Sequence, residues 1–151
     1  MKKVTCIVVG YGDRGSVYSA FALSNPDEFE IVGVVDPDPY RANLAKETFK
    51  LKESQIYSDF DEFIELKPKA DCVICATMDH LHYVQGKAIM EAGYHMLIEN
   101  SIFLIYLSTC FIISSSQNLN TIHPLSLNVI VHSKSRSLLR LILSFQNFSL
   151  V

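Results

Sequence analysis

A doubly wound parallel α/β sheet of about five strands is predicted for residues 1–99, on two observations. Apolar runs of strand length recur there, each followed by a segment of helix length, and the connections are short. The first run, Val4–Val9, ends in Gly10-Tyr11-Gly12-Asp13-Arg14-Gly15, a glycine turn placed between a buried strand and a helix. A third observation confines the fold to that part. All 16 Asp and Glu and all 6 Gly lie within residues 1–99, and residues 100–151 contain neither. A segment with no glycine has few ways to turn tightly. The chain thus divides into 1–99, an α/β domain, and 100–151, a Ser/Leu-rich tail.

The elements follow in order. Residues 4–9 form an almost unbroken apolar run, the pattern of a parallel strand buried on both faces. A helix is expected over 14–24, with Val17, Ala20 and Phe21 inward and Asn25-Pro26-Asp27 as its stop. Residues 30–35 are a second buried strand, ended by Asp36. Pro39 suits the first turn of a helix reaching residue 49. Residues 55–57 make a short third strand, and Ser58 with Asp61 reads as a capping box for a helix burying Phe60, Phe63 and Ile64. Residues 72–76 are the fourth strand. Residues 82–92 are a helix with Val84, Ala88, Ile89 and Ala92 inward and Gly93 just past its end. Residues 95–98 are the fifth strand. Regular alternation without repeats specifies right-handed crossovers and helices on both faces.

The tail has other habits. Residues 102–113 are largely apolar but shorter than the ~20 residues that cross a bilayer. Ser114-Ser115-Ser116 and Asn/Ser-rich sequence follow, then an apolar stretch interrupted by Arg140. Neither the strand period nor the helix period is sustained, so a poorly structured segment is expected. A membrane-associated hairpin and a genuine sixth strand or docking helix are the alternatives. Without a sixth strand, residues 95–98 become an apolar sheet edge, and low solubility with marginal stability is the expected result.

The net charge of −3 conceals an asymmetry: the tail carries Lys134, Arg136 and Arg140 and no acid. An acidic first part argues against a nucleic-acid partner, which needs a basic face. Cys6, Cys72, Cys75 and Cys110 make no disulfide framework in a chain of this size. Met1-Lys2-Lys3 runs straight into a strand, too soon for a signal segment, so no membrane partner and a cytoplasmic setting are expected. Cys72-Val73-Ile74-Cys75 matches a redox motif in letters only. In a strand, positions three apart face opposite sides, so these are expected to be buried structural thiols.

Chemistry concentrates at the carboxyl ends of the strands. Gly10 permits a tight turn, Gly12 lets the backbone approach a pyrophosphate, and Gly15 lets helix and strand pack closely. The helix that follows offers free N–H groups to phosphate. Asp36 ends the second strand 21 residues after Gly15, close to the position of an acid that binds ribose hydroxyls. A glycine-rich turn without a ligand would leave that spacing a coincidence. Asp13 is expected to face solvent or cap the helix, and Arg14 either touches the pyrophosphate or is a solvated surface residue. Asp36 favours NAD by repelling a 2′-phosphate; Arg41, one turn into the next helix, would offset that and admit NADP. His80-x-His82 lacks a third ligand at useful spacing, so metal is not expected. A capping or structural role is the alternative for these histidines.

Residues 1–99 resemble the N-terminal domain of the glucose–fructose oxidoreductase / inositol dehydrogenase / MocA family, written Gfo/Idh/MocA. The likeness rests on the glycine turn and on Val34-Val35-Asp36-Pro37. It also rests on Thr77-Met78-Asp79-His80-Leu81-His82, which matches the family's Thr-Pro-Asn-x-x-His at Thr77 and His82, and on Ala92-Gly93-Tyr94-His95-Met96-Leu97-Ile98-Glu99. The resemblance implies an NAD(P)-binding Rossmann domain and oxidation or reduction of sugars, cyclitols or related polyols. It brings Thr77, His82 and Glu99 to the cofactor side. In the family the Glu is followed by Lys-Pro, and that Lys assists proton transfer. Here Asn100 and Ser101 follow, and Asn100 neither gives nor takes a proton near neutral pH.

Nothing in residues 100–151 resembles the family's second α/β domain, which forms the substrate wall. The expectation is therefore a truncated Gfo/Idh/MocA-like protein that holds a dinucleotide, with no catalytic residue assigned and without full activity. Two other readings stand beside it. One is a non-enzymatic nucleotide-sensing or partner-binding module, and the other an oxidoreductase completed by another chain.

Overall fold

A computed structural model describes residues 3–99 and the strand Val129–His132. The described elements are β1 (Val4–Val9), α1 (Asp13–Ser19), α2 (Phe21–Ser24), β2 (Phe29–Val35), α3 (Pro39–Phe49), β3 (Ile56–Tyr57), α4 (Phe60–Leu66), β4 (Cys72–Cys75), α5 (Asp79–Glu91), β5 (His95–Glu99) and β6 (Val129–His132). They form one sheet of order β3-β2-β1-β4-β5-β6. The first five strands pair in parallel, as the alternating pattern predicts. The crossovers reverse direction between β1 and β4, which leaves a crevice at the carboxyl ends of those two strands.

Two cores sandwich the sheet. Cys6, Val8, Cys72 and Ile74 point to one face and pack with Tyr18, Phe21 and Ala45 of α1, α2 and α3. Ile7, Val9, Val73 and Cys75 point to the other and pack with Phe63 of α4 and Ile89 of α5. Strands buried on both faces need no polar alternation, which is why β1 and β4 are written as apolar runs. Cys72 and Cys75 accordingly lie in different cores, as expected of positions three apart in a strand. Phe63 is fully buried and stacks on Tyr94, with ring centroids 5.8 Å apart.

Several local expectations are corrected. The first helix breaks at Ala20; Phe21 is buried as expected, and the rest of the inner face is Gly15, Tyr18, Ser19 and Ala22. Val17 lies on the outer face, 47% exposed. The close packing of Gly15 on the glycine turn sets that rotation. On α5 the inward positions are His82, Gly86 and Ile89, and Val84 is 64% exposed. Gly86 faces the sheet because a Cβ there would stand 3.2 Å from Ile98 Cδ1, so the helix lies close to β5. The cap of α4 is Asp59, not Ser58: Asp59 Oδ1 accepts from the backbone N–H of Asp61 at 2.7 Å and of Glu62 at 3.1 Å.

The expected sheet edge at residues 95–98 is also corrected. β6 pairs antiparallel with β5, with Met96 opposite His132 and Glu99 opposite Val129. The alternative of a sixth strand is realised in these four residues. Val129-Ile130-Val131 is a β-branched triplet, which suits a pleated surface, but it is too short to set up a visible period. The apolar stretch 102–113, Cys110 and the remainder of the tail lie outside the described residues. No described helix is long and apolar enough to cross a membrane.

Candidate functional site

A cavity of about 760 Å³ opens at the carboxyl ends of β1, β2 and β4. Gly10, Gly12, Asp36, Arg41 and Thr77 line it, together with Asp13 and Arg14. Seven of the ten cofactor-side residues expected from the sequence thus meet at one place. Gly15 lies beneath it, His82 reaches it only through Thr77, and Glu99 closes β5. Asn100 lies outside the described residues.

Two of the three glycines are required by the protein itself, for different reasons. Gly10 has φ +86° and donates its N–H to Val35 O at 2.8 Å. A Cβ on Gly10 would also stand 2.8 Å from Ala76 O, so the turn fits flush against the β4–α5 loop. A Cβ on Gly15 would fall 1.9 Å from Gly10 O, which no side chain tolerates. Gly12 differs. Its φ of −80° suits any residue, and the nearest atom to a Cβ would be Arg41 Nη1 at 3.8 Å. Neither the backbone nor the packing of the protein demands a glycine there.

Asp36 is only 3% exposed. Its Oδ2 accepts from the backbone N–H of Tyr11 at 2.7 Å, and its Oδ1 from that of Asp38 at 2.9 Å. One carboxylate therefore ties the glycine turn to the β2–α3 turn. Each oxygen keeps a further lone pair for a second donor. Asp38 caps α3 by accepting from the N–H of Tyr40 at 2.9 Å, and its other oxygen stands 3.5 Å from Arg41 Nε.

The far wall is the loop after β4. Thr77 Oγ1 donates to Gln85 Oε1 at 2.5 Å. His82, 4% exposed, stands with Nε2 2.9 Å from Thr77 O. A carbonyl only accepts, so Nε2 carries the proton; Nδ1 is buried without a hydrogen-bond partner among the described residues. His80 is exposed while His82 is buried, so the two imidazoles do not share an environment. Behind the loop, burial pushes the Cys75 thiol up to about 11, against a smaller opposing effect of hydrogen bonds to Thr77. Burial, and next the neighbouring Cys72, raise the Cys6 thiol well above its ordinary value.

Asp38, Asp59 and Gln85 also line the cavity, and the sequence did not single them out as site residues. The cap roles of the two acids give the readable signal, because a cap at the start of α3 or α4 sits at the carboxyl edge of the sheet. Gln85 gives no signal until α5 is known to begin at Asp79.

Residues 4–106 match the Gfo/Idh/MocA family, an oxidoreductase family with an NAD-binding Rossmann fold. No curated protein sequence matches the chain. Among solved structures, the fold is similar to scyllo-inositol dehydrogenase from Lactobacillus casei with bound NAD(H) and scyllo-inositol. The TM-score is 0.64 at 19% identity, covering 75% of this chain and 34% of that one. WlbA dehydrogenase from Bordetella pertussis, in complex with NADH and UDP-GlcNAcA, gives 0.57 at 22% identity, covering 64% of this chain and 28% of that one. An oxidoreductase from Sinorhizobium meliloti gives 0.60 at 24%, covering 79% and 36%. This chain spans about a third of the length of these proteins. At such identities the likeness is one of fold. The family match covers more than half of the chain and includes the glycine turn, Asp36 and Thr77; the chain belongs to the Gfo/Idh/MocA oxidoreductase family and carries its NAD-binding Rossmann domain.

Proposed function

We propose that the cavity binds NAD as the dinucleotide module of a sugar or cyclitol oxidoreductase. Gly12 carries this reading. It lines the cavity, yet neither its dihedrals nor its neighbours call for glycine, so the clearance it leaves serves something outside the protein. A pyrophosphate approaching the backbone is the ligand group that needs it. Gly10, Gly12, Asp13, Arg14 and Gly15 would form the phosphate end, Asp36 and Arg41 the adenosine end, and Thr77, His82 and Glu99 the nicotinamide end. Bound NAD supplies hydride transfer. The chain's own contribution is to accept hydrogen bonds from ribose hydroxyls at Asp36 and to hold the Thr77 loop in place through His82 and Gln85.

An NADH titration tests the reading. The chain has no Trp, so cofactor fluorescence is read against tyrosine alone. Saturable enhancement at one site per chain is expected. A flat titration with folded protein overturns it.

We further propose that the chain alone does not turn over substrate. Asn100 stands where the family's proton-transferring Lys is expected, and an amide has no proton to exchange near neutral pH. The described residues supply only the dinucleotide side of a hydride-transfer site, so a sugar or cyclitol needs a wall from elsewhere. NADH formation from NAD and inositol is expected to be absent with the purified chain, and turnover would refute this. A cytoplasmic setting is proposed on the free thiols of Cys6, Cys72 and Cys75, and cell fractionation checks it.

A further inference from the structure

We infer that Asp38 is a selectivity residue of this site: by holding Arg41, it keeps the adenosine end from accepting a 2′-phosphate. The inference rests on the cavity being the dinucleotide site proposed above.

The first observation is charge. Asp13, Asp36, Asp38, Asp59 and Asp79 line the cavity, against Arg14 and Arg41. A lining with more carboxylates than guanidiniums suits a ligand that donates hydrogen bonds better than one that adds a dianion. A ribose 2′-hydroxyl donates to a carboxylate, whereas a 2′-phosphate is repelled by it.

The second observation is the state of Arg41, the cation of α3 on the cavity. Its guanidinium reaches toward the glycine turn, since Nη1 would be 3.8 Å from a Cβ on Gly12. From there it is placed to meet a group on the ribose. Asp38 engages it first, with Oδ2 3.5 Å from Nε.

The third observation is that Asp38 is tied to the backbone at both its main chain and its carboxylate. The Asp38 N–H donates to Asp36 Oδ1, and Asp38 Oδ1 caps α3 through the N–H of Tyr40. The N–H of Tyr40 holds the carboxylate and the bond to Asp36 holds the Asp38 main chain, while Arg41 reaches the carboxylate on a long side chain. Asp36 and Asp38 therefore stand as a linked pair of acids at the end of β2. Asp36 repels the phosphate directly; Asp38 repels it and also neutralises the residue that would receive it. Both partners of the ion pair are about half exposed, so its contribution is modest and screened by salt.

Asp38→Asn is the test, because Asn caps a helix as well as Asp and removes only the charge. Asp38→Ser, another good cap, guards against an effect peculiar to Asn. NADH and NADPH are titrated into the wild-type chain, both variants, and Asp38→Asn/Arg41→Ala. The expected result is tighter binding of NADH than of NADPH by the wild type. The NADPH-to-NADH affinity ratio then rises about three- to tenfold in both Asp38 variants, and the gain is lost in the double variant. Binding of NADH with an unchanged ratio in the Asp38 variants overturns the selectivity assignment and leaves the dinucleotide site standing. A gain that survives Arg41→Ala overturns the role given to Arg41. Failure of the wild type to bind either cofactor overturns the dinucleotide reading and this inference together.

Discussion

The backbone N–H of Tyr11 donates to the carboxylate of Asp36 at 2.7 Å, linking the glycine turn to the end of β2 across 25 positions of sequence. The same carboxylate also receives the N–H of Asp38. The acid expected to receive a ribose is thus also a structural clamp, and the two roles are separable by experiment.

Asp36→Ala leaves two backbone donors without their acceptor in a buried place. A loss of about 2–4 kcal/mol is expected from urea denaturation, together with loss of NADH binding. Unchanged stability would show that water replaces the carboxylate freely and that the clamp contributes nothing.

Gly12→Ala and Gly15→Ala are expected to part company. A methyl on Gly15 meets Gly10 O at 1.9 Å, so that variant should lose roughly 3 kcal/mol or more, or fail to fold. A methyl on Gly12 meets nothing closer than 3.8 Å, so its melting temperature should stay near wild type. Its NADH affinity should fall about tenfold, because the methyl stands where a phosphate must approach. Thermal melts paired with titrations decide the matter, and a Gly12→Ala protein that binds normally removes the reason for reading the cavity as a dinucleotide site.

Stability should fall on the alkaline side. The Cys75 thiol is raised from 9.0 to about 11 in the folded chain, and the Cys6 thiol is raised in the same direction. The unfolded chain therefore releases these protons first as pH rises. Between about pH 9 and 11 the folded state binds more protons than the unfolded, so unfolding becomes easier with each step. Cys75 alone should remove roughly 2–3 kcal/mol across that window. Urea midpoints from pH 8 to 11 measure it, and Cys75→Ala should flatten part of the slope.

His82→Leu removes the N–H that holds Thr77 O and keeps the buried volume filled. A cost of about 1–2 kcal/mol is expected, with faster amide hydrogen exchange at Leu81, whose N–H donates to Met78 O, and at Tyr83 in the same turn. Exchange unchanged at those positions would mean that Gln85 alone fixes the loop.

Much of this arrangement is legible in the residues. Gly10, Gly15 and Asp36 declare themselves because each meets a constraint with few chemical solutions: a positive φ, a contact too close for a Cβ, and an acid at a strand end. What escapes notice depends on rotation and on distant partners. Val17 and Val84 are apolar but face outward, because Gly15 and Gly86 set which side of each helix can lie against the sheet. Composition favours the valines; clearance favours the glycines, and clearance wins. His82 matches the family's motif, yet its ring turns beneath the loop, since only the fold reveals that Thr77 O is its partner. β6 escapes because four residues create no period, and its pairing depends on a strand about thirty positions away.

Ending the chain before Val129 should expose the whole length of β5 as an unpaired apolar edge. Light scattering and size-exclusion chromatography are expected to show aggregation that the longer chain lacks. Equal behaviour of the two chains would mean that β6 protects nothing.

The direction of β6 has a consequence for where the polypeptide is delivered. The parallel strands carry the backbone toward the edge of the sheet where the cavity opens, and β5 ends on that edge at Glu99. β6 starts beside Glu99 and runs the other way, so His132 sits level with Met96, back toward the pole where β1 begins. A parallel sixth strand would hand the chain on at the mouth of the cavity, in position to roof it. The antiparallel one releases it at the opposite pole. Whatever closes over the cavity must therefore come from the segment between Glu99 and Val129, travel back around the sheet, or belong to another molecule.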